Sequence, residues 1–229
     1  MSIAQVGTNP FLHTYTKNFP VSPAIGSGIF SKQFFLLSFR LYTYYFYLCV
    51  SIIQKGNMKR IILITGGQRS GKSSFAENMA HELTSSPVYM ATAKVWDDEF
   101  RERVRRHRER RGGEWTNIEE EKELSRHDVT GRVVVIDCVT LWCTNFFTDS
   151  DAHVSEALEA VKNEFDRFTR QEATFIFVTN EIGLGGVSTN RLQRKFTDLQ
   201  GWANQYIAAQ ADEVYLMVSG IPLKIKQTP

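Results

Sequence analysis

Gly66-Gly67-Gln68-Arg69-Ser70-Gly71-Lys72-Ser73 decides the fold. It satisfies the phosphate-loop pattern G-x-x-x-x-G-K-[ST] at every fixed position. Its flanks agree. Ile61-Ile62-Leu63-Ile64 is a short apolar run that predicts a strand, and Ser74-Phe75-Ala76-Glu77 with Met79 and Ala80 predicts a helix after it. Glycines let the main chain approach a polyphosphate, and successive N–H groups then point inward at it. A helix start adds partial positive charge. The pattern puts Lys72 on the outer phosphates and Ser73 on Mg²⁺. The plain alternative, a strand-to-helix turn with chance glycines, does not account for both flanks.

Outward from the loop, strands and helices alternate. Residues 61–65, 88–91, 132–137, 174–178 and 214–218 read as buried strands. Residues 72 to about 84, 96–111, 152–171 and 190–210 read as helices, with Val154, Leu158, Val161, Phe165 and Phe168 at helical spacing. Glu119 to Leu124 reads as a polar segment. This alternation predicts an α/β, P-loop NTPase-like fold: a mostly parallel sheet with helices on both faces. Unbroken apolar runs fit strands buried on both sides. Ligands in such folds bind beyond the carboxyl ends of the strands. The phosphate loop, Thr92, Asp137, Asn180 and Glu181 all fall at such ends.

The chain has 229 residues, room for one domain plus an appendage. We read 58–229 as the nucleotide-binding domain and 1–57 as an N-terminal extension outside the fold. Residues 1–33 are polar and irregular, and 34–53 are apolar and tyrosine-rich. That length suits a membrane span, but the tyrosines suit an interface better and Arg40 interrupts the run. The late start and missing cleavage site argue against a signal peptide. Met58-Lys59-Arg60 stands where such an enzyme would begin. A misassigned start, an anchor and a partner-binding extension are the three readings, and the first is favoured, with a cytoplasmic location. The formal charge of +2 gives no reason to expect nucleic acid. Three cysteines, Cys49, Cys138 and Cys143, form no pairable framework and no zinc pattern.

Several residues have the chemistry for a site. Asp137 reads either as a Mg²⁺ ligand or as a polar strand terminus. Arg101-Glu102-Arg103-Val104-Arg105-Arg106-His107-Arg108-Glu109-Arg110-Arg111 reads as a solvated helix face. It lacks the interleaved aromatics of a single-strand binder. His107 within it is a surface histidine or, when neutral, a nucleophile toward phosphorus flanked by charge-stabilising arginines. Asn180 and Glu181 either meet substrate or metal, or cap their loop. Gly183, Gly185 and Gly186 suit a mobile cover or ordinary turns.

Beyond the phosphate loop, further segments carry a resemblance. They are Tyr89-Met90-Ala91-Thr92-Ala93, Asp97-Asp98-Glu99, Arg103-Val104-Arg105-Arg106-His107-Arg108, Trp115, Asp137-Cys138-Val139-Thr140 and Val178-Thr179-Asn180-Glu181-Ile182-Gly183. Ala211-Asp212-Glu213-Val214-Tyr215-Leu216-Met217-Val218-Ser219-Gly220-Ile221-Pro222 completes the set. In this order they resemble the adenosylcobinamide kinase / adenosylcobinamide-phosphate guanylyltransferase family across about 58–226. The resemblance implies phosphorylation of adenosylcobinamide with ATP or GTP. It also implies transfer of GMP from GTP to the resulting phosphate. It puts the GMP-carrying histidine on His107. By position it puts nucleotide contacts on Gly66, Gly67, Gln68, Arg69, Ser70, Gly71, Lys72 and Ser73. The others fall on Thr92, Ala93, Lys94, Arg108, Glu109, Arg110, Arg111, Glu119 and Asp137. Arg108, Glu109 and Arg110 stand where some members have lysine, aspartate and glycine. Mg²⁺ on Ser73 and Asp137, a homotrimer and no nucleic-acid partner complete what is implied. A stand-alone small-molecule kinase and a membrane-tethered nucleotide switch are the competing readings.

Overall fold

The computed structural model describes residues 59–94, 105 and 111–227. The chain divides into two units, Met1–Lys55 and Gly56–Pro229, and every described residue belongs to the second. The strands are β1 (Arg60–Gly66), β2 (Val88–Ala91), β3 (Thr116–Glu119), β4 (Val133–Asp137), β5 (Thr174–Val178), β6 (Glu213–Val218) and β7 (Ile221–Gln227). The helices are α1 (Lys72–Leu83), α2 (Val139–Asp149), α3 (Val154–Phe168) and α4 (Arg191–Gln210). One seven-stranded sheet runs β3-β2-β4-β5-β1-β6-β7. It is parallel except for β7, which pairs antiparallel with β6. The expected P-loop NTPase-like α/β architecture is the observed one.

Each central strand is apolar throughout because it faces helices on both sides. Side chains alternate across the pleat. Ile61 and Leu63 join a core with Val134, Ile136, Phe175, Phe177 and Val214, covered by Trp142 of α2, Phe165 of α3 and Leu199 and Ile207 of α4. Ile62 and Ile64 point the other way, into a core with Val135, Ile176 and Val178 that α1 covers with Ala76 and Ala80. Small residues let α1 approach the sheet, which brings its N-terminus to the end of β1. Burying a side chain such as Phe165 contributes about 1.5–3 kcal/mol.

The structure adds elements that the periodicity did not reveal. β3 forms just ahead of the stretch read as polar, sharing only Glu119 with it, on the edge beside β2. α2 follows β4 directly, and β7 closes the opposite edge. The basic stretch 96–111 lies outside the described residues except for Arg105 and Arg111, as does the apolar stretch 34–53. No helix among the described residues is long and apolar enough to cross a membrane. Cys138 and Cys143 are free and buried, as small apolar side chains would be. Burial pushes the Cys138 thiol up to about 12.

Glu213 ties the two ends of this domain together. Burial alone would raise its carboxyl. Hydrogen bonds from Lys224 and Tyr215 and the ion pair with Arg60 outweigh that and hold it down at about 2. An unfolded glutamate titrates at about 4.3. The stabilisation is therefore complete above that value and is lost as pH falls toward the folded one. In urea denaturation, the midpoint gap between wild type and Glu213→Gln is expected to close between about pH 4.3 and the folded value. A gap constant across that window would show that this carboxylate is not held as described.

Candidate active site

The phosphate loop leaves β1 through Gly66 at φ 152°. A Cβ there would lie 2.6 Å from the Met217 carbonyl oxygen and 2.8 Å from Ser70 Oγ. Glycine is required by both backbone angle and space. Gly66→Ala is expected to cost about 1–3 kcal/mol in urea denaturation; an unchanged midpoint would contradict this packing. Arg69 takes a left-handed turn at φ 60°, and Gly71 follows at 92°. The Gly220 N–H donates to the Ser70 carbonyl at 3.0 Å, so the β6–β7 turn braces the loop from outside.

α1 begins at Gly71 without a side-chain cap and without an acidic residue in its first turn. The first amides of a helix have no intrahelical acceptor. Here they open onto the loop, a donor array suited to an anion. Lys72 Nζ bends back over the loop, donating to the Gly67 carbonyl at 2.5 Å and lying 3.4 Å from Ser70 Oγ. Burial lowers its pKa, and the Asp137 carboxylate opposes that shift.

Asp137 ends β4, two strands from β1, or about 10 Å at ordinary strand spacing. Its Oδ2 accepts a hydrogen bond from Tyr89 Oη at 2.5 Å. Burial and this carboxylate raise the Tyr89 pKa well above its ordinary value, which keeps the phenol a donor. The Arg111 guanidinium stacks 3.5 Å over the Tyr89 ring and lies 4.0 Å from Glu77. Thr92 is fully buried. Its Oγ1 donates to the Cys138 carbonyl at 2.8 Å and accepts from the Cys138 N–H at 2.9 Å. Its N–H donates to the Asp137 carbonyl, and its own carbonyl accepts from Asn145. Thr92 therefore reaches the site as a strut that fixes the end of β4.

A family model described as cobinamide kinase / cobinamide phosphate guanyltransferase matches residues 62–225. The chain belongs to this family. A relative from Escherichia coli (strain K12), the bifunctional adenosylcobalamin biosynthesis protein CobU, is 39% identical over 72% of this chain and 99% of its own length. The bifunctional adenosylcobalamin biosynthesis protein CobP of Pseudomonas aeruginosa is 37% identical over 73% of this chain and 98% of its own. The CobU protein of Salmonella typhimurium is 36% identical over 72% and 99%. A solved structure, the flagellar accessory protein FlaH from Methanocaldococcus jannaschii, aligns with a TM-score of 0.40 and 14% identity over 75% of this chain and 80% of that one.

Against the family expectation, the fold brings Gly66 to Ser73, Thr92 and Asp137 to strand ends on the same rim of the sheet. Ala93 is half-buried and Lys94 exposed just beyond β2. Arg111 turns inward, its side chain 5% exposed. Glu119 ends the edge strand β3, four strands from β1, about 19 Å away along the rim. His107, Arg108, Glu109 and Arg110 lie outside the described residues. Tyr89 and Thr140 are the additions. Both lie in segments that carry the resemblance, yet only the structure shows Tyr89 on Asp137 and Thr140 Oγ1 accepting from Asn180 N and Nδ2.

Ser73 and Asp137 have the hard oxygen donors that suit Mg²⁺. They supply one hydroxyl and one carboxylate beside a phosphate cradle. Mg²⁺ characteristically takes one or two protein carboxylates and completes its shell with phosphates and water. Among the described residues no cluster of three or more His, Cys, Asp or Glu offers an all-protein metal cage.

Proposed function

We propose that this chain phosphorylates the hydroxyl of adenosylcobinamide with ATP or GTP and transfers GMP from GTP to adenosylcobinamide phosphate. The observation that carries this reading is membership of a family described by both activities, on a chain with an intact phosphate cradle. Phosphoryl transfer needs mainly placement and charge stabilisation from protein. The loop amides, the α1 N-terminus and Lys72 supply both. Mg²⁺ on Ser73 and Asp137 would neutralise phosphate charge when bound. Guanylyl transfer runs through His107, whose neutral imidazole attacks the α-phosphorus of GTP as pyrophosphate leaves. The acceptor phosphate then displaces the histidine. Splitting one displacement into two lowers each barrier, and Arg108 to Arg111 balance charge on the triphosphate.

The same reading takes the enzyme as cytoplasmic and as a homotrimer, with no nucleic-acid partner. The full chain incubated with GTP, Mg²⁺ and adenosylcobinamide should yield adenosylcobinamide-GDP by product mass. Phosphorylated cobinamide without any GMP product would instead support a stand-alone kinase. No product of either kind would end the proposal.

A further inference from the structure

The kinase half of the proposed function leaves one role unfilled: a group to accept the proton of the attacking hydroxyl. We propose that Glu181 is that general base. This rests on the kinase reading above and deepens it.

Position comes first. β5 is the immediate neighbour of β1, and its ladder continues past the strand ends. The Thr179 N–H donates to the Ile64 carbonyl at 2.9 Å, and the Glu181 N–H donates to the Gly66 carbonyl at 3.0 Å. Glu181 is thus joined by its main chain to the first glycine of the cradle. The mounting is also rigid. Thr179 is fully buried, with Gln200 Nε2 donating to its hydroxyl at 2.7 Å and its hydroxyl donating to Asn204 Oδ1 at 2.7 Å. Asn204 Nδ2 holds the Asn180 carbonyl at 3.2 Å. Thr140 Oγ1 accepts from Asn180 at 3.0 and 3.1 Å. Buried polar side chains on α4 therefore fix a strand end that carries a charged residue into the open. A cap for the loop would not require that reinforcement.

Charge decides between the candidates. Glu181 is half-exposed, and among the described residues its carboxylate has no hydrogen-bond or ion-pair partner. The other carboxylates at strand ends are occupied or distant. Asp137 holds the Tyr89 hydroxyl, and its charge favours the charged form of Lys72. Glu120 accepts from the Lys122 and Glu123 amides. Glu119 is on the far edge. Glu181, tied by its main chain to the first glycine of the cradle and with its Oε1 3.6 Å from where a Cβ on Gly183 would lie, is the carboxylate at this rim that a hydroxyl nucleophile can meet.

The step balances as follows. The acceptor O–H breaks and its proton passes to a Glu181 carboxylate oxygen. The oxygen's electron pair forms the new bond to the γ-phosphorus. The bond from that phosphorus to the β–γ bridging oxygen breaks, and the nucleoside diphosphate leaves with its electron pair. Glu181 then gives the proton to solvent. Guanylyl transfer has no such need, because the attacking atoms, the unprotonated nitrogen of a neutral imidazole and an oxygen of an ionised phosphate, already present free lone pairs.

Glu181→Gln in the full chain should therefore separate the two activities. Cobinamide phosphorylation is expected to fall about 100-fold in kcat, with the KM for ATP unchanged. Labelling of the protein by α-phosphate-labelled GTP should proceed at the wild-type rate, which also reports that the variant is folded. Glu181→Asp, which keeps a carboxylate, should recover part of the loss. Wild-type phosphorylation rates in Glu181→Gln, or an equal fall in phosphorylation and labelling, would overturn the assignment. Wild-type protein is measured first. Its failure to phosphorylate would remove the kinase reading itself, whereas turnover matched by Glu181→Gln would remove only the base.

Discussion

Lys72→Ala is expected to lower both phosphoryl transfer and guanylylation of the protein by about 100- to 1000-fold, the cost of losing one positioned donor at developing charge. The ammonium is held over the loop by the Gly67 carbonyl, and the Asp137 carboxylate favours its charged form. Burial has already removed part of its hydration, so little reorganisation is needed when a phosphate replaces the Gly67 contact. The same burial means that Lys72 costs the fold something in the absence of nucleotide. The urea midpoint of Lys72→Ala should accordingly hold or rise while activity collapses. Loss of activity together with a lower midpoint would make Lys72 a structural residue and remove its assigned role.

His107→Ala divides the activities in the other direction. No GMP adduct is expected on the variant, because no other side chain is assigned to attack the α-phosphorus, while phosphorylation of cobinamide should persist. A phosphorus–nitrogen bond to histidine is acid-labile and base-stable, so the label on wild-type protein should show that pattern. Retention of an adduct by His107→Ala would transfer the nucleophile to another residue. With Glu181→Gln, the pair forms a reciprocal test: one variant keeps the adduct and loses the kinase, and the other keeps the kinase and loses the adduct. Lys72→Ala loses both, since both reactions use the same triphosphate cradle in this reading.

Most of the central sheet was legible from the residues. The strand expected at 174–178 is β5 to the residue, and those at 132–137 and 214–218 differ from β4 and β6 by a single residue. Their apolar runs are unbroken because helices cover both faces. β3 was hidden for the opposite reason. Thr116-Asn117-Ile118-Glu119 is exposed on an edge and pairs only with β2, so no apolar pattern marks it. α2 was hidden by composition. Val139, Trp142, Cys143 and Phe147 are buried at helical spacing, but β-branched and aromatic residues crowd the segment and weaken its helical signal. β7 carries Ile221, Leu223 and Ile225 exposed on the last strand of the sheet, where alternation does not report burial.

The cradle itself was determined by sequence alone. Its contacts are local: Lys72 reaches Gly67 five residues back, and the glycines and helix start adjoin them. Eight consecutive residues specify a shape when all its parts lie within one turn. The surroundings of that cradle were decided only by tertiary structure. Tyr89 meets Asp137 across 48 residues. Met217 fills the space that forces glycine at 66, and Gly220 braces Ser70. Glu181 is fastened to Gly66 by a ladder that exists only because β5 is placed beside β1. Parallel pairing needs a long crossover between neighbouring strands, so partners at the rim are necessarily distant in the chain, and no local pattern names them.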